Sequence, residues 1–358
     1  MKLNKLSFAI LGVTALAGSA QAATPTLKDV LGASGITASG YVDAAYTSFD
    51  TDAGSFSTNY FDSSSRQTFE IKQASVTFAS QPAEGFGALV NVTGGNDAQF
   101  IHSAGGSTAD FDLTQAFVQY ATGNLTVMGG KFVTLAGAEV IAPTGNTNIS
   151  RSMGFLNALP FTHTGVRVSY APAKTVTLYA GVNNGWDQAT DSNNGKTLEL
   201  GVSVTPADIL SAGLYAYRGD EGVAPAHTLT LIDAVVTIKP VAPLAIVLNY
   251  DTDTLSDGLA PGQDASWSAL SGYLNYQFTD KLRTSLRVEQ FDDKDGFKFG
   301  AADNKIMGYT LTVGYAPETN FELRGEVRQD QADKKVYTKD GSATDTQTYF
   351  AVEGLYKF

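Results

Sequence analysis

Apolar and polar residues alternate with a period of two in segments of about ten residues that recur along the chain. In 165–172 (GVRVSYAP), Val166, Val168 and Tyr170 would lie on one face of a strand, opposite Arg167. The segments KTVTLYAGVN and NFELRGEVRQ alternate in the same way. Each such segment has one apolar and one polar face, which is the pattern of half-buried β-strands rather than helices.

The connections between these segments alternate between short and long. The short ones often contain proline, as in QPAEG at 81–85 and APAK at 171–174. The long ones are polar and rich in Asp, Asn, Gly and Ser, as in 48–66, 184–196, 251–265 and 329–344. Short turns on one rim and long loops on the other are typical of an antiparallel, up-and-down transmembrane β-barrel.

We therefore predict an all-β protein that is a closed barrel of about sixteen strands, with short periplasmic turns and long, acidic extracellular loops. The predicted strands are roughly 36–47, 67–80, 85–95, 110–122, 124–133, 161–171, 174–184, 196–205, 208–218, 227–239, 241–251, 267–279, 280–291, 304–316, 318–328 and 345–358. Downward strands end on aromatic residues that suit a membrane interface, namely Phe78, Tyr120, Tyr170, Phe278, Tyr315 and Phe358.

One phrase recurs on three even-numbered strands: FEIKQASVTFAS at 69–80, FDLTQAFVQYAT at 111–122 and LTLIDAVVTI at 229–238. In each copy the parity of the apolar positions changes midway, as between Phe69 and Val76 in the first. The change indicates either a β-bulge or an upper half that extends above the membrane. The sequence leaves both alternatives open.

The two ends of the chain carry export signals. Residues 1–22 combine a basic start, the apolar run LSFAILGVTALAGSA and small residues ending at Ala22, which predicts a cleaved signal peptide and a mature barrel domain at 23–358. Tyr356 and the terminal Phe358 resemble the signal that the bacterial outer-membrane assembly machinery recognises. We therefore expect a protein of the bacterial outer membrane, in contact with lipid, lipopolysaccharide and that machinery.

Composition excludes several other classes. The chain carries 36 acidic and 24 basic residues, and the loss of Lys2 and Lys5 with the signal peptide makes the mature charge about −14, so nucleic acid is not an expected partner. The absence of cysteine excludes disulfides, thiolate chemistry and covalent haem attachment. No run of 18 apolar residues follows the signal peptide, so no transmembrane helix is predicted.

One long connection is unusually apolar. Residues 134–160, TLAGAEVIAPTGNTNISRSMGFLNALP, include Val140, Ile141, Met153, Phe155, Leu156 and Leu159. A solvated loop has no need of so many apolar residues, so we expect this segment to be tucked inside the barrel.

The segment 129–172, which contains this connection, resembles the OmpL-like β-barrel porin family of bacterial outer-membrane porins. SLRVEQFDDKDGFKFG at 285–300 resembles a second block of that family, except that Phe297, Lys298 and Phe299 stand where Val-Arg-Thr is more frequent. The resemblance implies an outer-membrane channel with its third loop folded into the lumen, and it implies no particular solute.

Charged residues within the strands are expected to face the lumen, because Lys or Arg facing mid-bilayer lipid costs about 2–4 kcal/mol. The predicted pore-lining residues are Lys131, Arg167, Glu199, Arg283, Arg287, Glu289, Glu322, Arg324, Glu326 and Arg328. The predicted constriction consists of the third-loop residues Glu139, Asn146, Asn148 and Arg151, facing the wall that carries Arg283 and Arg287. Such residues would sort solutes by size and charge. Alternatively, the charges pair along the wall and stiffen it.

The function expected from these features is passive diffusion of small hydrophilic solutes and ions, with a weak preference for cations. A homotrimer is expected because sixteen-stranded porins commonly trimerise. The alternatives are a structural or adhesive barrel, or a barrel enzyme of the lipase or protease kind, for which His102, His163 and His227 are isolated candidates. No catalytic residue, cofactor or resident metal is predicted. The acidic outer loops are either a solvated rim or a site for divalent cations bridging to lipopolysaccharide.

Overall fold

The computed structural model describes residues 26–52, 66–104, 110–222 and 227–358. The predicted signal peptide, residues 1–22, lies outside this part of the chain. Sixteen antiparallel strands pair in chain order, and the last pairs with the first to close the barrel, which confirms the predicted fold class.

The barrel strands are β1 (Thr37–Phe49), β2 (Gln67–Ser80), β3 (Gly85–Gly94), β4 (Phe111–Thr122), β5 (Leu125–Val133), β6 (Thr162–Ala173), β7 (Val176–Asn183), β8 (Thr197–Ala207), β9 (Leu210–Glu221), β10 (His227–Val241), β11 (Leu244–Ala260), β12 (Gln263–Gln277), β13 (Leu282–Asp295), β14 (Ala302–Glu318), β15 (Phe321–Ala332) and β18 (Thr346–Lys357). Two short strands, β16 (Tyr337–Lys339) and β17 (Ser342–Thr344), form a hairpin in the connection before β18.

Helical structure is limited to α1 (Leu27–Ala33), α2 (Ala98–Ile101), α3 (Met153–Asn157) and a 3₁₀ turn at Pro143–Gly145. A capping box between Thr26 and Asp29 begins α1. At seven residues, α1 is the longest helix of the described ranges, and none of these helices is long and apolar enough to cross a membrane.

The two faces of the wall follow the alternation of the sequence. Val166 is 51% exposed and points outward, whereas the next residue, Arg167, is 4% exposed and points inward. The aromatic residues predicted for the membrane interface all point outward, as do Tyr356 and Phe358 of the predicted assembly signal. The Phe358 amide donates to the Gly40 carbonyl at 3.0 Å, and the Gly40 amide donates back at 3.0 Å, so the last residue extends the β1–β18 seam.

The repeated phrase has two different explanations. In β2, Asp43 of β1 pairs with Gln73 and Ala44 pairs with Ile71, so one extra residue forms a β-bulge. The pairing of β3 with β4 shifts in the same way, between Asn91 and Thr93. These two copies therefore contain bulges.

The third copy, in β10, contains no such shift: it pairs with β11 without interruption from Leu229 to Ile238. Its upper apolar residues, Leu229 and Leu231, instead point inward and are buried, while Ile232 points outward. The continuous register excludes a β-bulge in β10, and its inward leucines pack against other chain segments rather than facing water.

The predicted long loop at 251–265 is wrong. Residues up to Ala260 belong to β11, and β12 begins at Gln263, so two residues make the turn, with Gly262 at a φ of +78°. Asp251 and Asp253 consequently lie on the inner face of β11 and are buried, rather than on an outer rim. The Asp-rich sequence suggested a loop, whereas the turn signal was the Pro261–Gly262 pair.

Candidate functional site

The connection between β5 and β6, residues 134–161, contacts the inner wall of the barrel and is called the third loop below. Arg287 on β13 makes the central contact. Its Nη1 donates to Glu139 Oε1 at 2.8 Å and to the Ser150 carbonyl at 2.7 Å. Its Nε donates to Glu289 Oε1 at 3.0 Å, and its Nη2 donates to Thr310 Oγ1 at 3.1 Å. The side chain is fully buried, so the third loop covers it and separates it from water.

Wall carboxylates bind the backbone of the third loop. The two oxygens of Glu326 accept the amides of Ile149 at 2.6 Å and Ser150 at 2.9 Å. Glu289 accepts the Met153 amide at 2.6 Å. Charge-assisted bonds of this kind are about twice as strong as neutral ones, and these three fix the loop backbone at a set height on the wall.

Arg151 of the third loop braces the loop itself. Its Nε donates to the Val140 carbonyl at 3.0 Å, and its Nη2 donates to the Ile141 carbonyl at 2.7 Å. The carbonyl of Arg151 in turn accepts a bond from Arg328 Nη1 at 2.7 Å. Arg328 also forms an ion pair with Glu289 at 3.3 Å. The guanidinium of Arg151 therefore closes the loop on itself, and its backbone is tied to β15.

The two predicted asparagines have separate roles. Asn146 closes a turn within the loop, because its Nδ2 donates to the Val140 carbonyl at 2.7 Å and its Oδ1 accepts the Val140 amide at 2.9 Å. Asn148 reaches the wall, donating to Thr312 Oγ1 at 2.6 Å and accepting from Ser285 Oγ at 3.1 Å. Both side chains are buried.

Further along the same wall, opposite charges neutralise one another. Arg283 and Glu322 are joined at 2.6 Å, and Arg324 contacts Glu322 at 2.8 Å and Glu353 at 3.2 Å. Arg283 also donates to the Thr147 carbonyl at 2.7 Å. The structure thus brings the third loop to β13 and β15, and it places the charges of this wall against the loop and one another.

The other three predicted pore-lining charges, Arg167, Glu199 and Lys131, form two separate ion pairs, the second of them with Asp112. Arg167 and Glu199 are bidentate, with N–O distances of 2.5 and 2.8 Å, and the guanidinium lies 4.2 Å from the ring centre of Phe132. Lys131 and Asp112 are 2.9 Å apart. All four charged side chains are buried on the inner face, in the arrangement expected of charges that stiffen the wall.

An apolar cluster holds the opposite side of the third loop. Phe155 and Leu159 of the loop belong to one buried cluster with Ile101, Tyr217 and Leu231. The inward leucines of β10 are thereby explained, because Leu231 faces the loop and not the aqueous lumen.

A cavity of about 490 Å³ remains between the third loop and the inner faces of β1–β4. The wall side of this cavity includes Ser39, Tyr41, Thr77, Asn91 and Gln115. The predicted pore-lining set contains none of these residues, because it consists of charged side chains. Their inward parity within the predicted strands was the signal that could have identified them.

The block that departs from the family pattern forms an aromatic cluster in the connection between β13 and β14. Phe297 stacks on Trp267 at 5.4 Å between ring centres, and Lys298 Nζ lies 4.3 Å from the Trp267 ring centre. Phe299 meets Phe291 edge-on at 5.4 Å. Phe297, Lys298 and Phe299 therefore pack against Trp267 of β12 and Phe291 of β13.

Some acidic residues of the outer loops form hydrogen bonds or ion pairs with other residues of the chain. Asp52 accepts the amides of Asp340 at 2.9 Å and Gly341 at 2.8 Å, and Asp50 pairs with Lys339 at 2.8 Å. Asp62 lies outside the described residues. Within the described ranges, no group of three or more His, Cys, Asp or Glu side chains is arranged to hold a metal ion.

The family described as "Putative beta-barrel porin-2, OmpL-like" matches residues 35–358. No curated protein sequence matches the chain significantly. Among solved structures, the fold is similar to that of an anion-selective porin from Comamonas acidovorans, with a TM-score of 0.67 and 14% identity over 90% of this chain and 99% of that chain.

The trimer form of in-vitro folded OmpT, an outer membrane protein of Vibrio cholerae, gives a TM-score of 0.62 and 13% identity over 90% of this chain and 99% of that chain. A porin refined at 1.8 Å resolution gives a TM-score of 0.55 and 11% identity over 90% of this chain and 100% of that chain. At these identities the likeness concerns the fold. The closed barrel and the family match over residues 35–358 together show that the chain belongs to the OmpL-like β-barrel porin family and is an outer-membrane porin.

Proposed function

We propose that the mature chain, residues 23–358, forms a water-filled channel through which small hydrophilic solutes and ions cross the outer membrane by passive diffusion. The observation that carries this proposal is the cavity between the third loop and β1–β4, inside a barrel that is otherwise partly filled by that loop. Sixteen strands enclose a lumen wide enough for water, and the third loop narrows it on one side.

In this proposal the third loop forms the constriction, with Glu139, Asn146, Asn148 and Arg151 keeping its shape. The narrowest aqueous section lies between residues 134–144 and the wall of β1–β4. Arg287, Arg324 and Arg328 hold the loop in place, since they are buried in contacts with it, and half-buried Arg283 also donates to the loop. This assignment moves the constriction away from the arginine wall on which the sequence had placed it.

The channel carries out no catalytic step in this proposal, in which His163 and Ser103, the residue after His102, serve packing. His163 stacks on Tyr217 with 4.9 Å between ring centres, and Ser103 shares a 2.8 Å hydrogen bond with Thr162. A lipase or protease would need a histidine beside a nucleophile and open to substrate. A structural or adhesive barrel would conduct no ions and is separated from a porin by conductance.

The remaining proposed partners follow from the outer-membrane setting. Recognition of Tyr356 and Phe358 by the assembly machinery, contact with lipid and lipopolysaccharide, and divalent cations at the acidic outer loops belong to this proposal. A homotrimer is proposed because a fold relative has a trimer form. Native mass spectrometry of the detergent-solubilised protein should give a threefold mass, and a monomer alone would remove this part.

Planar bilayer recording tests the channel itself. The purified, folded protein should insert with discrete current steps in a simple salt solution, whereas the same protein unfolded by heating should give none. A folded barrel that inserts into the bilayer and never conducts would contradict the porin function and favour a structural or adhesive role.

A further inference from the structure

The wall side of the cavity is built from uncharged hydrogen-bonding groups. Ser39 and Tyr41 from β1, Thr77 from β2, Asn91 from β3 and Gln115 from β4 supply hydroxyls and amides. Among the described residues that line the cavity, the charged side chains are Glu139 and Lys357, and Lys357 stands at the end of β18.

The wall groups are held in place and keep unused hydrogen-bonding capacity. Asn91 Nδ2 donates to Thr77 Oγ1 at 2.8 Å and to Ser75 Oγ at 2.8 Å. Thr77 therefore acts as an acceptor there, which leaves its hydroxyl hydrogen to be donated toward the cavity. Tyr41 donates its hydroxyl hydrogen to Gln73 Oε1 at 2.7 Å, so toward a further partner its oxygen acts as an acceptor. The wall thus offers a fixed donor and a fixed acceptor.

The loop side of the cavity is largely apolar and presents no uncompensated charge. Leu135, Val140 and Phe161 line it. Both carboxylate oxygens of Glu139 are hydrogen-bonded within the protein: Oε1 accepts from Arg287 at 2.8 Å, and Oε2 accepts the Ser152 amide at 2.6 Å. The Glu139 carboxylate therefore adds little to the electric field across the cavity.

Such a passage treats charged and neutral solutes differently. An ion that enters loses part of its hydration, and the uncharged side chains of β1–β4 return too little interaction to compensate. A sugar or sugar alcohol exchanges water for wall hydroxyls and amides, and its C–H faces contact the apolar loop. We propose that the channel favours uncharged, polyhydroxylated solutes over charged solutes of the same size. This inference rests on the porin function proposed above and names the solute class of the same passage.

The test compares three solutes of similar size in vesicles that contain the native protein: glucose, protonated glucosamine and gluconate. Initial uptake of the radiolabelled solutes should be several-fold faster for glucose than for either ion. Equal rates, or a faster rate for either ion, would overturn this inference while leaving the porin function intact. Absence of uptake for all three, and for glycerol, would overturn the porin function and this inference with it.

A charge placed in the wall provides the matched variant. Gln115→Glu is nearly isosteric and retains an oxygen that accepts the Val133 amide, at 3.4 Å in the native protein. In water, a unit negative charge about 6 Å from a passing cation lowers the energy of that cation enough to raise its local concentration about threefold. The ratio of glucosamine to glucose uptake should therefore rise about threefold.

Gln99→Glu, on an exposed residue of the outer loop that carries α2, makes the same charge change away from the cavity and should leave the ratio unchanged. Thr77→Glu serves as a second cavity variant if Gln115→Glu fails to give the folded, heat-modifiable form. An uptake ratio in both cavity variants equal to that of Gln99→Glu would show that the solutes do not pass this wall, and would overturn the inference.

Discussion

Replacing Arg287 with alanine should loosen the third loop while leaving the barrel closed. The guanidinium is fully buried and is shared by Glu139 of the loop and Glu289 of the wall. Removing one partner of a buried ion pair costs about 3–5 kcal/mol, because the remaining carboxylates stay buried without compensation. The loss should fall on the loop, since the pairing of β13 with β12 and β14 uses the backbone of Arg287 and not its side chain.

Hydrogen exchange measures this loss directly at three amides. Those of Ile149 and Ser150 donate to Glu326, and that of Met153 donates to Glu289. Each must break its bond before it exchanges. A fall of about 3–5 kcal/mol in the free energy of local opening corresponds to exchange faster by a factor of about 10² to 4 × 10³, at 1.4 kcal/mol for each factor of ten.

Arg218→Ala is the control, because Arg218 is exposed and surface substitutions usually change stability by less than about 0.5 kcal/mol. Arg287→Lys should lie between the two, because it keeps the charge and loses the planar, multiply donating group. The view that buried ion pairs hold the third loop would be refuted by one result. In an Arg287→Ala barrel that remains heat-modifiable, the three amides would exchange at rates within about threefold of those in Arg218→Ala.

Three further predictions concern other parts of the chain. Burial raises the pKa of Asp187, in the loop after β7, from 3.8 to about 7, so the folded state binds its proton more tightly and stability is lost as pH rises between these values. The difference in melting temperature between Asp187→Asn and the native protein should therefore grow in favour of the variant from about pH 4 to 7 and then level off. A difference that stays constant with pH would contradict the raised pKa of Asp187. Leu231→Ala should cost about 2–5 kcal/mol in urea unfolding, since the side chain is fully buried against the third loop, and lipid-facing Ile232→Ala should cost clearly less; equal costs would count against that packing. Deleting Phe358 should lower the yield of heat-modifiable barrel in the outer membrane, and an unchanged yield would exclude its role as an assembly signal.

The strands were predictable because a barrel wall imposes its period on the sequence. Each predicted segment overlaps one barrel strand, and the inward or outward direction of residues such as Val166 and Arg167 follows from parity alone. Parity states which face a side chain occupies, but it does not state what lies against that face. Leu231 on β10 therefore looked misplaced in the sequence, whereas it points inward against the third loop.

The site was harder to predict for the same reason. The sequence indicated that Arg287 faces inward and that the third loop carries Glu139, and the two side chains do meet at 2.8 Å. It could not show that this contact buries the arginine, because that depends on how closely the loop packs across many residues. The neutral wall was missed because hydroxyls and amides such as Thr77 and Asn91 are common in strands and have no distinctive pattern.

The route of the channel is tested most directly by blocking it. The chain contains no cysteine, so a single Thr77→Cys substitution places one reactive thiol in the cavity between the third loop and β1–β4. Current steps of this variant in a planar bilayer should fall by at least about half after treatment with a bulky, neutral methanethiosulfonate reagent, because a side group then fills the narrowest water path. Val76→Cys, which points outward on the same strand, should keep its full current steps under the same treatment. Unchanged current steps in Thr77→Cys, with labelling verified by mass, would contradict the account that solutes pass between the third loop and this wall.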